Sequence, residues 1–135
     1  MLNVCAELFK NYLEERDLTC ESGTTSNGDS VIEFPYQGKN YKLFFEGPNG
    51  CYLSLFLVFE HVPDEKIADV IFTCNDLNCD YKWITFYVDK ENDIVLHDDA
   101  ILTIDNAADE AFELLLRMLK ISEDVKPKLM RAIYA

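Results

Sequence analysis

Residues 70–119 read VIFTCNDLNCDYKWITFYVDKENDIVLHDDAILTIDNAADEAFELLLRML. Val70, Ile71, Cys74 and Leu77 recur at helical spacing, with Ile67 just ahead of them, and Asn78 is suited to close a helix in a left-handed conformation. Trp83, Thr85 and Tyr87 then alternate with Ile84, Phe86 and Val88, which predicts a strand over about residues 82–89. The polar turn Asp89-Lys90-Glu91-Asn92-Asp93 leads into a second strand at 93–101, which Asp98-Asp99 ends or bulges. Asp105 is a good N-cap for a helix over 105–120. Asp109 and Glu110 lie near its positive end, and Arg117 and Lys120 near its negative end. A helix, an acidic-tipped hairpin and a long helix do not make alternating βαβ units. They predict an antiparallel sheet covered by helices.

On the N-terminal side, Pro63-Asp64-Glu65 starts the first of these helices, because proline is tolerated at the first helical position. Every glycine lies before residue 51, in the segments SGTTSNGD, QGKN and GPNG. These segments separate four runs rich in β-branched and aromatic residues, at about 18–22, 30–36, 40–46 and 51–60, which reads as a meander. Asn27-Gly28 is the strongest turn signal among them. Tyr41, Leu43 and Phe45 fall on one side of their strand, and Lys42, Phe44 and Glu46 on the other. The run at 51–60 is apolar at both parities, as in a strand buried on both faces or facing a dimer partner. Residues 2–16 form an opening helix, with Leu2, Cys5, Ala6, Phe9, Tyr12 and Leu13 on its apolar side.

On the C-terminal side, a separate short helix is expected at 123–134, capped by Ser122 or Asp124, since Pro127 is tolerated only in a first turn. This end is locally basic, with Lys120, Lys126, Lys128 and Arg131 against Glu123 and Asp124. It is either a solvated helix complementing an acidic body or a tail that docks on an acidic surface. The predicted fold is one α+β domain over residues 1–135, a mainly antiparallel sheet flanked by helices in the order α-ββββ-α-ββ-α-α.

The composition sets limits on function. The chain has 135 residues, 49% of them apolar, and a formal charge of −13. That charge argues against nucleic acid and against an anionic membrane as main partner, because phosphates are repelled. No signal peptide and no apolar run long enough to span a bilayer is visible, so the expected compartment is the cytosol. Cys5, Cys20, Cys51, Cys74 and Cys79 are then read as free, small, buried thiols.

Motifs for chemistry are weak. There is no Walker loop, GxGxxG, HExxH or GxSxG. Cys74 and Cys79, with His61 and His97, offer zinc-type ligands, but at a C-x4-C spacing and without a second pair. The same histidines are the only bases for a nucleophilic cysteine. Asp89, Glu91, Asn92, Asp93, Asp98 and Asp99 gather oxygen ligands, yet lack the central glycine and closing acid of a calcium loop. No cofactor is expected.

Apolar surplus is the stronger signal. Ala107, Ala108, Ala111, Phe112, Leu114, Leu115, Leu116, Met118 and Leu119 exceed what one buried helix face needs. Tyr36, Tyr41, Tyr52, Tyr81, Tyr87 and Tyr134 cannot all be buried in so small a core. Most are read as structural, and the alternative is a sheet face that accepts a partner's apolar segment.

The stretch quoted above, with its N-x-x-N at Asn75 and Asn78, its acidic hairpin tip and its long amphipathic helix, resembles the YbjN family of bacterial sensory transduction regulators. The resemblance implies a fold like that of type III secretion chaperones, ordered α-βββ-α-ββ-α, to which this chain adds a strand and a final helix. It carries over no catalytic residue. It marks Asn75 and Asn78 as residues to watch, with capping and turn formation their ordinary role. The resulting expectation is a non-enzymatic, chaperone-like or regulatory module that binds a protein or peptide segment, or forms a homodimer. The expected surface is Leu55, Leu57 and Phe59 on the strand, with Phe112, Leu115, Leu116 and Leu119 on the helix. The alternative is a metal- or small-ligand-binding regulator using the acidic 89–99 hairpin or the Cys/His set.

Overall fold

Asn3 ties the first helix to the sheet. Its side-chain oxygen accepts from the Ala6 N–H at 3.1 Å, its amide donates to the Phe45 carbonyl at 2.7 Å, and its backbone N–H donates to Ser30 Oγ at 2.8 Å. The helix it caps, α1 (Val4–Glu15), buries Cys5, Ala6, Phe9 and Leu13. Gly50 sits against this cap at φ 73°, where a Cβ would collide with the Asn3 carboxamide, so the position accepts only glycine.

The computed structural model describes residues 1–135. After α1 come β1 (Glu21–Thr24), β2 (Ser30–Tyr36), β3 (Lys39–Glu46) and β4 (Tyr52–His61). Then follow α2 (Ile67–Asp80), β5 (Thr85–Val88), β6 (Asp93–Ile101) and α3 (Ala107–Tyr134). The four strands expected before the second helix are present, the first of them shifted to 21–24. Six strands form one antiparallel sheet in the order β1-β2-β3-β4-β6-β5. The β2–β3 hairpin turns on Gln37 and Gly38, both at positive φ, as a two-residue turn that follows the strand twist requires. After β4 the chain crosses through α2 to the outermost position, and β6 then folds back between β5 and β4.

One face of the sheet carries the core. Ile32, Phe34, Tyr41, Leu43, Phe45, Leu53, Leu55, Leu57, Phe86, Ile94 and Leu96 are buried there with the inner residues of all three helices. The layering is therefore two-fold, sheet below and helices above.

Three local expectations are corrected. The C-terminal segment is not a separate helix, because α3 runs unbroken for 28 residues, about 42 Å, through Pro127. Ala111, Leu115, Met118, Ser122, Val125, Leu129 and Ile133 keep one continuous buried stripe across the junction. Pro127 and Glu123, whose carbonyl loses a donor, both face water, so solvent replaces the missing bond. Asp98-Asp99 neither ends nor bulges β6, since both pair in register with β4. The irregularity lies between Val58 and Glu60 instead. Asn78 does not close α2 in a left-handed conformation. The helix continues to Asp80 and ends on an extended Tyr81.

Asn78 has a different task. Its side chain accepts from the Phe86 N–H at 2.7 Å and donates to the Phe86 carbonyl at 3.0 Å, pairing the outer edge of β5 as a neighbouring strand would. Asn78→Ala leaves both groups without a protein partner. It is expected to lower stability by about 1–2 kcal/mol and to speed amide exchange at Phe86 selectively. Unchanged exchange there refutes that assignment.

Candidate functional site

The surplus of apolar side chains on α3 is absorbed inside the chain. α1 packs on one flank of this helix and α2 on the other, while the sheet lies beneath. Phe112 rests among Tyr12, Phe34 and Tyr36, with ring centroids 5.4, 6.5 and 5.7 Å away. Leu119 is half-buried against the core, Leu115 is fully buried, and Leu116 is the most exposed of the four. On β4, Leu55 and Leu57 point into the core and Phe59 is half-buried beside the irregularity. Leu55, Leu57 and Leu115 therefore do not face a partner, because the pleat and the flanking helices enclose them.

The uncovered surface is the other face of the same sheet. Facing out along β4 are Tyr52, Ser54, Phe56 and Val58, paired in that order with Ile101, Asp99, His97 and Val95 of β6. Phe44 on β3 and Tyr87 on β5 extend the row on either side. The rings form a continuous band. Phe44 meets Phe56 edge-on at 5.7 Å, Phe56 stacks on the His97 imidazole at 4.2 Å, and Tyr87 meets His97 at 6.2 Å. Val95 is only 4% exposed although no helix covers it, because its neighbours on the face close over it. Val58 and Ile101 are 57% and 79% exposed.

Polar groups frame this band. Asp99 Oδ1 accepts from Ser54 Oγ at 2.7 Å and lies 2.7 Å from His97 Nε2. Partial burial pushes the Asp99 carboxyl up, but the Ser54 and His97 hydrogen bonds and the His97 charge outweigh it and hold it below the usual carboxylate range. Serine and histidine both converge on the acid, so no base faces the serine hydroxyl as a nucleophile needs. Lys42 lies 5.5 Å above the Phe44 ring and 3.5 Å from Glu33, so the face already carries a cation on an aromatic ring.

The other candidate groups are occupied elsewhere. Asp89 Oδ1 accepts from the Glu91 and Asp93 N–H groups and closes its own turn. Asp93 pairs with His61 at 2.8 Å, and Asn92 donates to Asp64 at 3.2 Å. No three His, Cys, Asp or Glu side chains gather where they could hold a metal ion, either in the 89–99 hairpin or in the Cys/His set. Cys5 and Cys74 are buried, Cys20 and Cys51 are half-buried, and Cys79 is exposed, against the expectation that all five are buried. Burial first, and then the hydrogen bond to Cys51, pushes the Cys5 thiol to about 11. Burial alone takes Cys74 to about 11. Both stay protonated and unreactive at neutral pH. Asp98 points the opposite way from Asp99, into the core. Asn75 is exposed on α2, together with Ile71 and Phe72, which were expected, in the case of Ile71, to be buried.

Of the tyrosines singled out, Tyr41 belongs to the core, and Tyr36 and Tyr81 pack half-buried against it. Tyr52 and Tyr87 lie on the uncovered face, and Tyr134 is exposed near the C-terminus. Phe44, Phe56, Val58, Val95 and Ile101 were not singled out. The available signal was Phe44, an aromatic residue at the same parity as Lys42 and Glu46.

A two-layer antiparallel sheet with one face under helices and the other apolar and open defines an α+β fold of the type III secretion chaperone kind. The chain belongs to the YbjN family, described as "Putative bacterial sensory transduction regulator", whose family model matches residues 6–124. Among solved structures it is similar to the Yersinia pestis type III secretion chaperone SycH, determined in complex with a stable fragment of YscM2. The TM-score is 0.54 and the identity 14%, over 89% of this chain and 98% of that one. No curated protein matches the sequence. No helix is long and apolar enough to cross a membrane.

Proposed function

We propose that this protein is a non-enzymatic, chaperone-like or regulatory module of the cytosol that holds a segment of another protein on the helix-free face of its sheet. The observation that carries the reading is the band Phe44–Phe56–His97–Tyr87, flanked by exposed Val58 and Ile101, on a face that no element of the chain covers. A sheet face this apolar lowers its free energy by acquiring a cover. The complex in which SycH was determined, with a protein fragment bound, supports the same reading. Self-association is the second use. The exposed Ile71 and Phe72 on α2 favour it on a surface separate from the sheet.

Affinity capture from the native host, with mass spectrometry, tests the first use. A protein retained by the native chain and lost from the Phe44→Ser/Phe56→Ser variant supports it. Capture that is indifferent to that variant removes the face from the function. Light scattering on the native chain and on Phe72→Ser tests the second use, and a monomer at high concentration sinks it.

A further inference from the structure

Resting on the protein-binding reading, we infer that the occupant of the open face is an amphipathic partner segment whose apolar stripe is bordered by lysine and arginine. The charges on the face carry this inference. Glu21 and Glu33 flank the β1–β2 side of the band, and Glu46 and Asp99 stand beside Tyr52, Ile101 and Phe44, whereas Lys42 is the single lysine or arginine at outward positions of the ladder, with His97 already turned to Asp99. Lys42 and Glu33 satisfy each other and Asp99 is held by Ser54 and His97, so Glu21 and Glu46 are the acids left to meet an incoming cation. Opposite charge is thus favoured around the rim and apolar contact in the middle, the usual anatomy of a docking site.

The alternatives conflict with the same groups. A second copy brings another −13 and, in a two-fold arrangement, sets these acids against themselves. Nucleic acid would suit the stacked rings but not the carboxylates. An arginine or lysine laid on Phe56 or Tyr87 would repeat the contact that Lys42 already makes with Phe44. A helical segment is the natural shape, since helices already cover the opposite face and a second layer would complete a sandwich.

A synthetic helical peptide of about 18 residues, five turns, built from leucine and lysine, is a direct probe. Its counterpart replaces every lysine with glutamate. Titrated into the native protein, the lysine peptide is expected to shift the backbone amides of Phe44, Phe56, Tyr87 and Asp99. Its Kd is expected to weaken at least about tenfold between about 50 mM and 500 mM salt, and at least about tenfold in Phe44→Ser/Phe56→Ser. Phe72→Ser on α2 is expected to bind as the native chain does. No binding of the lysine peptide, equal binding of the glutamate peptide, or shifts confined to α2 and α3 would each overturn the inference. The amide-shift map on the native protein decides the matter even if the double variant fails to fold. If these results fail while host capture remains sensitive to Phe44→Ser/Phe56→Ser, the occupant is wrong and the protein-binding reading stands. If capture loses that sensitivity as well, the reading itself falls.

Discussion

Leu55→Ala is expected to destabilise the protein by about 2–5 kcal/mol, whereas the neighbouring Phe56→Ser is expected to cost far less. The two residues are adjacent in β4 and point to opposite faces of the sheet. Leu55 is fully buried opposite Asp98 and beneath the helices, and Phe56 lies half-exposed on the other side. Removing three carbons from Leu55 leaves a cavity that the rigid sheet cannot close. Losing Phe56 removes contacts to Phe44 and His97 that already border water. Urea unfolding of both variants checks the contrast. Equal losses, or a larger loss for Phe56→Ser, would show that the sheet is not divided into a sealed and an open face.

Asp98→Asn is expected to stabilise the protein above pH 6, by up to about 3 kcal/mol. Asp98 is 6% exposed, and its Oδ2 has no hydrogen-bond partner. Burial, the largest effect, pushes its carboxyl from the ordinary 3.8 to about 6. Asp99 adds to the rise, and a backbone hydrogen bond from Asp99 together with the charges of His97 and Arg117 opposes it. A rise of that size corresponds to about 3 kcal/mol. The folded chain binds this proton more tightly than the unfolded chain. Between about pH 4 and pH 6 the native state keeps a proton that the unfolded state has released, so this group's contribution falls as pH rises. The penalty is complete above about pH 6 and absent below about pH 4. Denaturant titrations at pH 4, 6 and 7.5 should show the native chain losing ground to Asp98→Asn across that window and the two converging at the acid end. Parallel curves would mean that Asp98 finds a partner when ionised.

Much of the fold was legible in the residues because periodicity reports directly on burial. Phe9 and Leu13 on α1 and the alternation at 41–46 stated which side faces inward, and the glycine turns placed the connections of the meander. The caps read at Asn78 and Asp105 did not hold, since α2 ends on Tyr81 and Asn106 caps α3. The order α-ββββ-α-ββ-α-α followed from these, one helix more than the chain has. The break foreseen before Pro127 did not occur, because a local preference for a boundary lost to a buried stripe shared with the sheet and the other helices. The open face was legible only in part. An apolar strand at both parities signals two nonpolar surroundings but does not say which is closed, so Leu55 and Leu57 were assigned to the surface that Phe56 and Val58 occupy. The excess on α3 was equally ambiguous. Whether a partner or a neighbouring helix consumes it depends on packing at long range, and here α1 and α2 consume it. The pairing of Asn78 with Phe86 joins residues eight apart through a side chain acting as backbone, for which no sequence period exists.

Asn78 has one more consequence. A protein that displays a broad greasy plate is in danger of stacking into fibrils when a bare strand border lies close by, because backbone templating and hydrophobic collapse then reinforce each other. On the β5 side, a carboxamide plugs that border at Phe86. On the β1 side, the border is only four residues long and is interrupted by Gly23. Both borders are therefore poor templates for a further strand, which offsets the hazard of an uncovered apolar face.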